Sequence, residues 1–329
     1  MIRYILKRIL QVIPVLLGIT VIVFTLMYFT PGDPALAILG ENATPEQVAE
    51  IRLDLGLDDP YIVQLGRYII NAVQGDFGTS YRTGNPVLQE VLARYPYTLL
   101  LSVLSTFLGV LIGVIAGIVS AVKQYSIIDN VFSAFSLLGI SAPSFWIAMI
   151  LVLVFSVNLG ILPATGTYGI VYWILPVFTL GLQASASIMR MTRSSMLEVI
   201  RQDYITTSMA KGQSRFLTIM RHGFKNALVP IITIIGARIA AFLGGAVLVE
   251  TVFAIPGLGR YIVDSVGFQD YPVVQGGVLW IAINVAIINL IIDLIYAFVD
   301  PRIKSQYSSA KPSGKGAVKL EVAEETGER

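Results

Sequence analysis

Residues 193–226 read RSSMLEVIRQDYITTSMAKGQSRFLTIMRHGFKN and form the longest polar interruption between the later apolar segments of the chain. The stretch divides into two short helices and a sharp turn. Asp203 stands where it can cap the first helix, which carries Tyr204, Ile205, Ser208 and Met209. Gly212 supplies a residue able to take the left-handed conformation that commonly closes a helix. Ser214 can cap the second helix, where Phe216, Leu217, Ile219, Met220 and Phe224 alternate with Arg215, Arg221 and Lys225. Anchored in a membrane at both ends, such a hairpin offers an apolar ridge and a basic flank to something soluble. The alternative is an amphipathic hairpin on the membrane surface with no partner.

The anchoring follows from composition. Of 329 residues, 55% are hydrophobic and only 13% are charged, against about 25% charged in soluble domains. The apolar residues come in blocks that reach the roughly 20 residues a spanning helix needs. The chain therefore reads as an all-α, polytopic membrane protein. A net charge of +2 provides no global basic field for nucleic acid. With no cysteine there is no disulfide, thiolate nucleophile or Cys-ligated metal, and the lone His222 cannot build a histidine-rich metal site. Among Arg221 and Lys225, His222 reads as a docking or hydrogen-bonding residue.

Outward from the hairpin the spans fall into order. Arg3, Lys7 and Arg8 precede an apolar run from Ile9 to Phe29. The run is too long for a signal-peptide core and has no small-residue cleavage site, so residues 1–30 hold a cytosolic N-terminus and an uncleaved first span. Pro14 is expected to kink it, and Pro31-Gly32-Asp33-Pro34 stops it. Residues 31–97 are too polar to span and predict a small external insertion with two helices. Thr44, Pro45 and Gln47 fit N-cap, first-turn proline and capping-box partner, with Val48, Ile51 and Leu55 on the apolar face and Gly56 at the end. Asp59-Pro60 opens the second helix, with Ile62, Leu65, Ile69 and Val73 on one side and Gly75 past its end.

Five more spans are expected in residues 98–304: Thr98–Val122, opened by Pro96; Val131–Val157, bent at Gly139 and Pro143; Ile174–Met191; Leu228–Val249; and Gly277–Phe298, closed by Asp300-Pro301-Arg302. Gly109, Gly113 and Gly117 recur every four residues, a spacing that lets helices approach closely in lipid. Basic residues cluster on one side, at Arg3, Lys7, Arg8, Lys123, Arg190, Arg193, Arg201, Lys211, Arg215, Arg221 and Lys225. The positive-inside rule then places both termini and the hairpin in the cytosol. Residues 305–329 are polar, rich in Gly, Lys and Glu, and expected to be disordered.

The order of residues in the hairpin is also familiar. Asp203-Tyr204, Ala210-Lys211-Gly212, Arg221-His222, Asn226-Ala227 and Pro230 resemble the cytoplasmic signature of ABC-importer permeases, closest to the dipeptide/oligopeptide branch. Thr206-Thr207-Ser208 stand where the general signature has Glu-Ala-Ala, and Val229-Pro230 replaces its Leu-Pro. The Pro-Gly-Asp-Pro tetrad, the stretch from Asn71 to Gly78, Glu250-Thr251-Val252-Phe253, Pro256-Gly257-Leu258-Gly259-Arg260 and Asp270-Tyr271-Pro272 resemble the same branch. The resemblance covers most of residues 1–304. It implies a type I importer permease fold with six transmembrane helices in a bacterial inner membrane. It also implies a second, homologous permease chain, two cytosolic ATPase subunits that engage the 193–226 loop, and an external substrate-binding protein delivering peptides. The insertion either meets that binding protein or only packs on helix ends. The Pro256–Arg260 turn is a candidate contact for it, and a short amphipathic helix with Tyr261, Ile262, Val263 and Val266 follows.

No phosphate-binding G-x-x-x-x-G-K-[ST] loop is present, so this chain is not expected to bind ATP, to hold a cofactor or to be an enzyme; the resemblance implies that ATP and Mg sit on the partner ATPases. Charges within the spans point to a pathway. Arg238 falls near the middle of the fifth span, where a charge costs about 2.5–3.5 kcal/mol on insertion scales. Asp293 lies roughly 6 Å lower on the sixth. Arg238 and Asp293 either face the pathway or pair with each other and pin two helices. Glu250 is placed at the outer mouth, meeting a peptide amine or solvent. Asn284 and Asn289 are candidate interhelical hydrogen-bond partners. The expected function is ATP-driven import of dipeptides or oligopeptides by alternating access. Glutathione or a nickel chelate as the solute, and a non-ABC carrier or membrane scaffold, are the alternatives.

Overall fold

The computed structural model describes residues 2–40 and 42–299. The Asp300-Pro301-Arg302 stop and the tail from residue 305 lie outside the described residues. In chain order, α1 (Ile2–Phe29) is followed by α2 (Pro34–Leu39), α3 (Pro45–Leu55) and α4 (Tyr61–Val73) of the insertion. Then come α5 (Val87–Val122), α6 (Ile127–Ser141) and α7 (Ser144–Leu151), which runs into a π-helical stretch, Val152–Asn158. α8 (Val171–Ile200) leads to the hairpin helices α9 (Asp203–Ala210) and α10 (Arg215–Thr218). A second π-helical stretch, Ile219–Phe224, joins α10 to α11 (Lys225–Gly245), and α12 (Val247–Val252), α13 (Leu258–Gly267) and α14 (Tyr271–Val299) follow. Among the described residues there is no strand.

Five helices are long and apolar enough to cross a membrane: α1, α5, α8, the continuous α10–α11 rod and α14. A sixth crossing arises if α6 and α7, bent by 105° at their junction, make one span. Pro143 causes that break. It donates no backbone hydrogen bond and pushes Ala142 out of the helical region, to ψ 129°.

Several boundaries differ from expectation. Pro96 lies inside α5, which begins at Val87 and not at Thr98. Pro86, with φ −58°, precedes the first turn there, and a proline within a membrane helix is tolerated when neighbours support the freed carbonyl. α8 runs to Ile200, past Met191, and the fifth span begins in the hairpin, at Arg215. The insertion holds a third helix, α2, overlooked although Asp33-Pro34 announces it: the Asp33 carboxylate accepts the Ala35 N–H at 3.0 Å and Pro34 takes the first turn. The capping box of Thr44 and Gln47 opens α3 as expected.

The frame is the α5–α8 pair. A Cβ on Gly109 would stand 2.5 Å from Ala184 Cβ, one on Gly113 2.7 Å from the Ser185 carbonyl, and one on Gly117 2.6 Å from Thr192 Cβ. The four-residue glycine spacing is thus a seam into which α8 sinks. Leu101, Leu180, Ile188, Val249 and Phe253 fill the core beside it. On the other side α14 packs on α1 and α11, with Gly236 against Ile292. The insertion joins this frame through Phe77, Val87 and Val91, which pack with Leu258, Ile262, Val273 and Val274.

Candidate functional site

The hairpin is tied by polar side chains as well as by its turn. Gly212 has φ +86°, its N–H donates to Met209 O at 3.0 Å, and the space where a Cβ would point is empty. Glycine is needed there for its backbone conformation alone. Ser214 caps α10 by accepting the Leu217 N–H, as its position suggested. Asp203 does not cap α9: Gln202 holds the N-cap position with no side-chain capping bond, and Asp203 begins the first turn, where its negative charge suits the helix end. Across the turn, the Ser208 hydroxyl donates to Gln213 Oε1 and lies 3.4 Å from Thr218 Oγ1. At the base, Asn226 Nδ2 donates to the Tyr204 hydroxyl at 3.0 Å and to His222 O at 2.8 Å. Two residues picked from the sequence order, Tyr204 and Asn226, therefore meet across the hairpin.

Its apolar residues split into two sets. Ile205, Ile219 and Ala227 are buried, the last two packing with Met196 and Ala121. Tyr204, Met209, Phe216 and Leu217 are exposed, Phe216 by 75%. Ala210, Lys211, Arg221 and Lys225 are exposed beside them. His222 lies in the π-helical stretch, a feature that recurs at functional sites. No residue pattern in 219–224 distinguished it from ordinary helix. Pro230 lies within α11.

Arg238 and Asp293 do not form the pair that was one of their two alternatives. Asp293 meets Arg8, with Arg8 Nε 3.1 Å from Asp293 Oδ2, which joins α14 to α1. The reach of α1's first turns to α14 was invisible from span depth alone. Arg238 is half-buried on α11 and forms no ion pair among the described residues. Asn284 is an interhelical partner as anticipated, accepting from the Tyr95 hydroxyl at 2.7 Å, whereas Asn289 is exposed.

Glu250 corrects its expected place more sharply. It is fully buried. Thr98 Oγ1 donates to it at 2.6 Å and the Arg260 N–H at 2.7 Å, while the Leu258 N–H donates to Thr98 Oγ1 at 2.8 Å. It does not meet solvent. A Cβ on Gly257 would fall within the carboxylate, and one on Gly259 would stand 2.9 Å from Val247 Cγ2. The Pro256–Arg260 turn is therefore wrapped around a carboxylate, with Gly257, Leu258 and Gly259 buried. Only Pro256 and the partly exposed Arg260 remain for contact, and Arg260 faces Asp264 at 3.6 Å. In α13, Ile262 turns inward while Val263 and Val266 face out.

A second buried carboxylate was missed. Asp270 accepts from the Ser80 hydroxyl and from the Tyr81 N–H at 3.0 Å, fastening the insertion to the start of α14. Burial pushes the Tyr81 phenol up to about 12, with Asp270 adding to it. Asp270-Tyr271-Pro272 had been noted only as part of a resemblance.

Five or six apolar helical spans, a hydrogen-bonded hairpin between two of the long helices and a fastened cap are the parts of a polytopic membrane protein. The chain belongs to the family described as the binding-protein-dependent transport system inner membrane component, whose pattern matches residues 109–305. A companion N-terminal pattern of the same systems matches residues 1–102. The dipeptide transport system permease protein DppB of Alkalihalophilus pseudofirmus is 42% identical, over 92% of this chain and all of its own. The glutathione transport system permease protein GsiC is 42% identical in Salmonella paratyphi A and 41% in Escherichia coli K12, each over 92% of this chain and 99% of its own. Among solved structures, an inward-facing MetNI methionine ABC transporter chain aligns with TM-score 0.54 and 22% identity, covering 65% of this chain and 97% of its own. That likeness shows the fold.

Proposed function

We propose that this chain is one of two permease subunits of an ATP-driven importer that accepts dipeptides or oligopeptides from a substrate-binding protein and releases them into the cell. The hairpin carries the proposal. It is braced at its base by Tyr204 and Asn226, yet leaves Tyr204, Met209, Phe216 and Leu217 exposed beside Arg221 and Lys225. An exposed apolar ridge with a basic rim is what a soluble ATPase subunit would cover. Two such subunits hold the ATP and Mg, and no cofactor sits in this chain. Both termini and the hairpin face the cytosol. ATP-driven closure of the ATPases moves the hairpin, and because α11 continues α10 without a break and only Arg201 and Gln202 separate α8 from α9, the spans move with it. Arg238, without an ionic partner among the described residues, is suited to a peptide carboxylate passing through the pathway.

Glutathione is the second reading, since the dipeptide and glutathione permeases above match equally well at 42%. Purified complex in proteoliposomes tests both. Labelled dipeptide should accumulate only with ATP, the ATPase subunits and loaded binding protein. Accumulation without ATPase subunits overturns the proposal, and accumulation of glutathione in place of dipeptide selects the second reading. Orientation is read separately. The chain has no cysteine, so in membranes without the ATPase subunits Leu217→Cys should react with a membrane-impermeant thiol reagent only from the cytosolic side.

A further inference from the structure

α6 is bound to α8 at three points along its length. Near the hairpin end of α8, Arg193 grips Asp129 with both arms of its guanidinium, Nε to Oδ1 at 2.7 Å and Nη2 to Oδ2 at 2.8 Å. Asp129 is 1% exposed. The same carboxylate accepts from the Ser120 hydroxyl of α5, from the Tyr125 N–H at 2.9 Å and from Ser133 Oγ at 3.4 Å. Tyr125 holds a left-handed φ of +64° in the loop between α5 and α6. Midway, a Cβ on Gly139 would stand 2.9 Å from Ala186 Cβ, so the two helices touch there. At the far end, Gln183 Nε2 donates to Ala142 O at 2.8 Å, beside the Pro143 break. Gln183 and Arg193 are ten residues apart, roughly 15 Å along the helix. Past the break the chain turns by 105° and α7 packs on α12 as well as α8.

A forked Arg–carboxylate pair fixes orientation as well as distance. Here it joins three helices at the end of α8 from which the hairpin departs. We propose that Asp129 and Arg193 are positioning residues for transport. Their fork welds α6 to the α5–α8 pair, so displacement of the hairpin swings all three together and the third span flexes at Ala142-Pro143. The inference rests on the coupling role proposed for the hairpin, and its test keeps the two apart.

The test uses the assembled transporter in vesicles, scored by abundance of complex, ATP hydrolysis, and solute taken up per ATP hydrolysed. Asp129→Asn should assemble and hydrolyse ATP while uptake per ATP falls roughly tenfold, the factor that about 1.4 kcal/mol of lost positioning energy produces. Spin labels on Leu137→Cys and Phe178→Cys, one on each helix, should keep a fixed separation through the ATP cycle in the parent and spread in the variant. The reciprocal swap, Asp129→Arg with Arg193→Asp, should restore part of the uptake. If Asp129→Asn fails to assemble, Arg193→Lys keeps the charge, breaks the fork, and decides by the same ratio. An unchanged ratio overturns the weld, including the case where complexes are only fewer. Gly212→Val in the same vesicles separates the causes. A normal ratio there overturns the hairpin's role, whereas a lowered ratio there with a normal one in Asp129→Asn overturns the weld alone.

Discussion

The hairpin and the cap formed by the insertion are built in opposite ways. The cap is closed on itself: Glu250 and Asp270, both buried, accept hydrogen bonds from parts of the chain far apart in sequence, and an apolar cluster seals the insertion to α13 and α14. The hairpin leaves large apolar side chains in the open and is secured by a turn and a few exposed hydrogen bonds. A region satisfied by its own chain can keep its shape while partners come and go. A region whose apolar surface is unsatisfied gains stability from whatever covers it. The contrast assigns stiffness to one end of the bundle and engagement to the other, and substitutions at the two ends should fail differently.

The largest effect is expected at Glu250. Glu250→Ala leaves the Arg260 N–H buried without its acceptor and opens a cavity beneath Gly257 and Gly259. Unsatisfied buried groups cost about 1–3 kcal/mol each, so the loss should reach roughly 3 kcal/mol. Thermal unfolding of the detergent-purified chain should show it as a lower midpoint and less permease in membranes. A midpoint equal to the parent's would mean that the cap does not depend on this carboxylate. Arg238→Ala comes next and should leave the midpoint unchanged. A charged hydrogen bond to solute is worth about 1.5–3 kcal/mol, so uptake should fall by roughly tenfold or more with assembly intact. Unchanged uptake removes Arg238 from the pathway.

Much of this contrast was legible in residue order, and what escaped did so for identifiable reasons. Glycine spacing at 109, 113 and 117 announced a helix seam, and Gly212 announced a turn, because both are local requirements. Span limits slipped wherever a helix ran on into water: α8 and the α10–α11 rod continue past the apolar block because backbone hydrogen bonds, not hydrophobicity, set where a helix ends. Glu250 was misplaced because a charged residue beside a span reads as solvated, while its partners, Thr98 and Arg260, lie 152 and ten positions away. Asp293 was offered the wrong arginine for the same reason. Depth along a helix carries no information about which neighbour faces it.

Gly212→Val sits on the engagement side and should be weaker in stability but visible in function. No atom lies within 4 Å of the added Cβ, so the whole cost is the left-handed backbone, about 1–2 kcal/mol. The chain should insert and assemble normally while hydrolysing ATP with severalfold less uptake. Gly212→Asn, which tolerates φ near +86°, should recover most of the coupling. If valine and asparagine behave alike, the turn conformation is not what matters.

The smallest change, Tyr204→Phe, examines whether the hairpin's two legs are tied or merely adjacent. It deletes the hydroxyl that accepts from Asn226 Nδ2 but keeps the ring, which is 42% exposed. Asn226 retains its bond to His222 O, and water can take the vacated site. The net loss should therefore sit at the low end for a hydrogen bond, about 0.5 kcal/mol. Fold and assembly should be indistinguishable from the parent. If the tie transmits force, uptake per ATP falls by about twofold, the factor that this energy allows. Asn226→Ala, which also loses the bond to His222 O, should show at least this factor, and adding Tyr204→Phe to it should change nothing further, because the shared bond is already gone. Additive losses would mean that Tyr204 and Asn226 act on separate surfaces, and the hairpin would then be a pair of independent contacts, not a single stiff lever.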